Sequence, residues 1–168
     1  MKKLFLVRHA KSSWNHPELD DCDRPLNKRG KRNAPEMGER LLRRGVMPDI
    51  MITSPAKRAA ATARRIADSI GYPRERIKKD SELYHGSASD TINVLRNQDN
   101  KFDAIMIFGH NPGLTDLVNE LSDASIYNVP TCGIVEIDFD VRSWADVGNR
   151  TGNLVLFDFP KKLLANHE

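Results

Sequence analysis

Leu4-Phe5-Leu6-Val7-Arg8-His9-Ala10 is the stretch on which the reading of this chain turns. Leu4 to Val7 is an unbroken apolar run, the pattern of a strand buried on both faces. Arg8 and His9 then stand at its carboxyl end, where open α/β sheets bind their ligands. Guanidinium holds phosphate oxygens through paired N–H donors, and neutral imidazole is a nucleophile. By itself the pair is also what a strand shows as it leaves a core, so partners elsewhere decide its meaning.

Two later segments repeat the pattern. Asp49 to Thr53 reads as a second buried strand, followed by Ser54-Pro55. Serine is a good N-cap and proline suits the first helical position, so a helix is expected from there to Gly71. Ala59, Ala63, Ile66 and Ile70 share one face of it. Arg58 lies one turn in, on the side of Ser54, and can reach over a helix amino terminus that already favours anions. Phe102 to Phe108 contains the third apolar run, Ala104 to Phe108, leading into Gly109-His110-Asn111-Pro112 and a helix carrying Leu114, Leu117, Val118 and Leu121. Asn111 is the expected cap.

Between these units, Ala10 to Leu26 is a polar connection. It includes Ser12 and Asn15 as candidate phosphate contacts and an acidic part, Glu18 to Asp23, expected to be a solvated loop. Asn27 can cap a helix toward Arg44, in which Pro35 predicts a kink or two helical pieces. Arg76 to Asp80 is a candidate edge strand, Ser81 to Gly86 a loop, and Ser89 or Asp90 the cap of a helix through Leu95. Gly133 to Phe139 alternates at period two, and Leu154 to Phe159 closes the sheet antiparallel to it after a short connection. The expected fold class is α/β. One domain over residues 1–168 would form a three-layer sandwich, with a mostly parallel central sheet, an antiparallel edge strand and helices on both faces.

In a sheet parallel through the three key strands, Arg8, His9, Arg58 and His110 converge at one edge with two helix amino termini. Such a site stabilises a transferring phosphoryl group with arginines and helix dipoles and needs no metal or other cofactor. Lys57, Arg64 and Arg65 are rivals for the phosphate role, but Lys57 points elsewhere and the other two lie further down the helix.

These motifs resemble the histidine phosphatase superfamily, with the phosphoglycerate mutase-like fold. Leu6-Val7-Arg8-His9-Ala10 resembles its Arg-His-Gly motif with alanine in the glycine position. The likeness continues through Leu26 to Gly30, Ser54 to Ala59 and Gly109 to Pro112. The short chain and the Arg-His-Ala-Lys-Ser start are most similar to phosphohistidine phosphatases of the SixA type. The resemblance implies that His9 attacks phosphorus and that Arg8, Arg58 and His110 hold its oxygens. It also implies a proton donor near Glu82. The substrate expected is a phosphorylated protein (phosphohistidine) or a small phosphate ester, and short connections with no lid favour the protein.

The totals suit this reading. The 168 residues are 39% hydrophobic and 29% charged, ordinary for a globular domain, and the net charge of +3 is too small to argue for nucleic acid. The arginine-rich helices carry no interleaved aromatics, so neither nucleic acid nor a membrane is an expected partner. Cys22 and Cys132 lack metal-ligand spacing, and no apolar run approaches the ~20 residues of a membrane span. No signal-peptide pattern opens the chain, so the cytoplasm is the expected location. His16, His85 and His167 have no motif around them and are expected to be structural or on the surface. The alternative function is a phosphate- or phosphoprotein-binding module that uses the same Arg/His pocket without turnover.

Overall fold

A computed structural model describes residues 1–162. Six strands form one sheet: β1 (Lys2–Arg8), β2 (Ile50–Thr53), β3 (Lys78–Lys79), β4 (Ala104–Gly109), β5 (Ile134–Phe139) and β6 (Gly152–Asp158). Their order is β3-β2-β4-β1-β5-β6. β3, β2, β4 and β1 run parallel, β5 pairs antiparallel with β1, and the edge strand β6 pairs antiparallel with β5. Arg8 is in register with Gly109, and Thr53 with Phe108, so β1, β4 and β2 end at the same edge.

Alternation along β1 shows how the sequence builds two cores. Leu4 and Leu6 face the side carrying α3 (Ala88–Arg96) and α4 (Gly113–Leu121). Phe5 and Val7 face α1 (Lys28–Arg43) and α2 (Lys57–Ile70). All four side chains are buried, each contributing about 1.5–3 kcal/mol by leaving water. The apolar runs Ile50–Ile52 and Ile105–Phe108 split between the two cores in the same way, which is why these strands read as continuous rather than alternating.

Helix boundaries depart from the sequence reading in three places. α2 begins at Lys57 with Ala56 as its N-cap, because Ser54 is occupied elsewhere: its hydroxyl accepts from Ala56 N and bonds His110. α4 begins at Gly113, and Asn111 caps from further out, accepting from Thr115 N at 3.1 Å. α3 is capped by Ser87, not Ser89 or Asp90; Asp90 instead completes a reciprocal capping box with Ser87. α1 runs unbroken through Pro35, so the expectation of two pieces is not met. Gly71 ends α2 in the left-handed conformation (φ 82°), where a side chain would be strained.

α1 also fixes the loop after β1. At Gly30 a Cβ would lie 2.1 Å from Lys11 O, so the helix touches that loop backbone to backbone. The expected position of His167 lies outside the described residues.

Candidate active site

His9 leaves β1 at the common strand end and is only 8% exposed. Its backbone N–H donates to Gly109 O at 3.1 Å, tying it to β4. Its Nδ1 lies 2.8 Å from Ala10 O. A carbonyl can only accept, so Nδ1 carries the proton and the Nε2 lone pair is left bare. Burial, followed by the charges of His110, Arg58 and Arg8, pushes the His9 pKa down to about 3, against the contrary pull of the Ala10 carbonyl. A histidine so placed is neutral and nucleophilic near pH 7.

His110 follows β4, with its ring centroid 5.2 Å from that of His9. Its Nε2 bonds Ser54 Oγ at 2.8 Å, while Nδ1 has no partner among the described residues. Burial, and then Arg58, lower its pKa to about 4. Arg8 donates Nη1–H to Val129 O at 3.0 Å, and its Nε is likewise without a partner. Arg58 reaches back from the first turn of α2 and is 7% exposed.

A hollow of about 150 Å³, lined among others by Arg8, His9, Ser12, Arg24 and Arg58, forms a cationic cradle beside the His9 ring. A larger cavity of about 490 Å³ adjoins it across Arg58, lined in part by Asp21, Tyr84, His85, His110 and Asp116. It offers room for whatever carries the phosphoryl group.

Of the residues expected from sequence, Arg8, His9, Ser12, Arg58 and His110 come together here. Two do not. Glu82 lines a separate hollow with Asp80, Asp90 and Asn93, and its backbone N–H is held by Asp80 Oδ1. The turn at Ser81–Leu83 carries the Glu82 side chain out of both cavities, so no proton-donor role follows from its position. Asn15 is exposed and lines another hollow with His16, Asn27 and Lys31.

Four residues that sequence reasoning passed over are at the site. Asp21, from the stretch expected to be a solvated loop, accepts from Arg58 Nη2 at 3.0 Å, Tyr84 OH at 2.7 Å and Arg24 Nη1 at 3.1 Å. The Tyr84 hydroxyl, then Arg58 and Arg24, hold its carboxyl far below the usual range, against its partial desolvation. In return Asp21 pushes the Tyr84 phenol up to about 12. Arg24 is buried, donating to Ser12 Oγ at 2.6 Å and Ser13 O at 3.2 Å, with the Trp14 ring 3.3 Å over its guanidinium. His85 lines the larger cavity, its ring centroid 4.0 Å from that of Tyr84. One signal was available for Arg24: it stands two residues before Leu26, in a segment that must return to α1 beside the strand end.

A bare imidazole nitrogen set among arginines at the end of a parallel strand defines a phosphoryl-transfer site of the histidine type. The sequence agrees: residues 4–105 match the model of the histidine phosphatase superfamily (branch 1), and the chain belongs to that family. It is 31% identical to an uncharacterised chloroplast protein of Arabidopsis thaliana, over 86% of this chain and 70% of that one. It is 36% identical to phosphoglycerate mutase 1 of Saccharomyces cerevisiae, over 51% of this chain but 37% of the mutase. The fold is similar to a protein assigned as phosphohistidine phosphatase SixA from Agrobacterium tumefaciens (TM-score 0.81, 25% identity, 95% of this chain and 98% of that one). It is also similar in fold to a protein histidine phosphatase SixA complexed with tungstate (TM-score 0.82, 22% identity, 96% and 99%). Family and likeness together support a phosphatase. No helix among the described residues is long and apolar enough to cross a membrane.

Proposed function

We propose that this chain is a metal-independent phosphatase that acts through a phosphohistidine on His9, with phosphohistidine proteins as its substrates. The observation that carries the reading is the contact of His9 Nδ1 with Ala10 O, which sets the tautomer. Nδ1–H is spent on Ala10 O, so Nε2 is the atom free to attack. In the first step the Nε2 lone pair forms a bond to phosphorus. The bond from phosphorus to the leaving nitrogen breaks, and that nitrogen keeps the electron pair as neutral imidazole if its ring was already protonated. In the second step water attacks the phosphorus on His9, releasing inorganic phosphate and restoring the imidazole; the water proton leaves to solvent. Arg8 and Arg58 bind the equatorial oxygens, with His110 as a further hydrogen-bonding group and Ser12 at the rim. A leaving imidazole whose other ring nitrogen already carries a proton departs neutral and needs no acid, which suits a site that Glu82 does not enter. The likeness to SixA supports a phosphohistidine substrate, and the two unpaired thiols, Cys22 and Cys132, fit a reducing setting such as the cytoplasm.

The test is turnover of a phosphohistidine protein beside a panel of small phosphate esters, with and without chelator. Hydrolysis that survives chelator and is lost in His9→Ala, with phosphate trapped on His9 in the wild type, is the expected result. Full turnover by His9→Ala would remove His9 as the nucleophile. Binding of phosphoproteins without any turnover would establish the alternative, a recognition module built on the same pocket.

A further inference from the structure

The carboxylate that meets Arg58 has no part in the mechanism above, yet it controls what that arginine can offer. We propose that Asp21 is a positioning residue for phosphoryl transfer: it clamps both terminal nitrogens of Arg58 and leaves the remaining donors to the phosphoryl oxygens. This rests on the phosphatase reading and adds a residue to it.

The geometry is specific. A guanidinium has five N–H donors. Asp21 engages both terminal nitrogens, Nη1 through its main-chain carbonyl at 2.8 Å and Nη2 through Oδ2 at 3.0 Å. That uses one donor on each terminal nitrogen. The Nε–H and the second hydrogens on each terminal nitrogen have no partner among the described residues, and Arg58 lines the cradle that holds His9. The clamp is itself held on three sides. Arg24 grips Oδ1, Tyr84 grips Oδ2, and the Asp21 backbone is fixed in a short turn whose carbonyl also accepts from Arg24 N. Arg24 is in turn packed under Trp14 and bonded to Ser12, which rims the cradle.

Charge balance makes the same point. Arg8, Arg24 and Arg58 crowd one small hollow, and Asp21 is the acid that pairs with two of them. Without it Arg58 would be a buried cation repelled by its neighbours and would swing toward solvent. Two other roles are disfavoured by the contacts. A carboxylate held by two guanidiniums and a phenol is a poor proton source for a leaving group. A mere competitor for the phosphate site would take up most of the guanidinium's donors, whereas Asp21 takes one on each terminal nitrogen and leaves the others.

The experiment compares wild type, Asp21→Ala, Asp21→Asn and Asp21→Glu. Orthovanadate affinity is measured by calorimetry, kcat and KM with an aromatic phosphate ester, and thermal stability alongside. Removing one electrostatic contact to a transition state costs on the order of a hundredfold or more, so displacing one donor group should cost at least about tenfold. The expected result in Asp21→Ala is vanadate binding weakened by that factor, with kcat falling more than KM rises. Asp21→Glu should regain part of the loss. Tighter vanadate binding would show Asp21 to be a competitor and overturn the proposal. So would unchanged binding with a smaller active fraction, the mark of a purely structural role. A wild type without turnover refutes the phosphatase reading separately, since the vanadate titration still reports how Arg58 is placed.

Discussion

Replacing His9 by asparagine should flatten the acid limb of the protein's stability. In the folded chain His9 titrates near 3, and unfolded it returns to the ordinary histidine value of 6.5. Between those values the unfolded state holds a proton that the folded state does not. Stability therefore rises with pH through this window: it is complete above about 6.5 and is lost as pH falls toward 3. The slope for one such group is about 1.36 kcal/mol per pH unit. From pH 7 to pH 5 the loss assignable to His9 is thus about 2 kcal/mol, a large share of the about 5–15 kcal/mol that holds a domain together. With a urea slope near 2 kcal/mol per M, this is a midpoint shift of about 1 M. Asparagine can still donate toward Ala10 O but does not titrate. Urea melts of both proteins at pH 7 and pH 5 measure the difference. If His9→Asn loses as much stability as the wild type over that interval, the histidine is not a buried neutral base and the nucleophile argument falls with it. His110, also depressed, contributes in the same direction and remains in both proteins, so the comparison isolates His9.

Two further predictions concern residues around the site. Glu82→Gln should leave kcat within twofold of wild type on a phosphohistidine substrate, because that carboxyl lines a different hollow from His9; a loss of a hundredfold would restore it as the proton donor. Gly30→Ala should destabilise by about 1–3 kcal/mol in denaturant melts, since the new methyl meets the Lys11 backbone rather than a side chain that can turn away. It should also lower kcat in the molecules that remain folded, as Lys11 lies two residues from His9.

How far the chain could be read before its structure depends on what each feature requires. The sheet was legible because β1, β2 and β4 are buried on both faces and so must be apolar throughout. Their carboxyl ends then had to coincide once the strands were taken as parallel. That placed Arg8, His9, Arg58 and His110 together from spacing alone. Helix starts were less legible. A serine or asparagine near a helix has more than one possible acceptor, and Ser54 serves His110 and a turn rather than the α2 terminus. Ser87 and Ser89 both precede the same apolar face. Only the reciprocal bond with Asp90 distinguishes them.

The part that stayed hidden is the ring of groups that holds Arg58. Asp21, Arg24 and Tyr84 belong to two connections that share no periodicity, and the 63 residues from Asp21 to Tyr84 include two helices and two strands. An acidic run such as Glu18–Asp23 is indistinguishable from a solvated loop until its neighbours are known. What distinguishes it physically is return: α1 packs so closely on Lys11 that the chain between them has to double back along the strand end. Ser12 pairs with Leu26 to close that excursion. The loop closed in this way brings the half-exposed Asp21 carboxylate onto Arg24 and Arg58, whereas Glu82 lines a different hollow. The acid that matters at this site is therefore set by which loop the helix pins down, and the residue type alone could not reveal it.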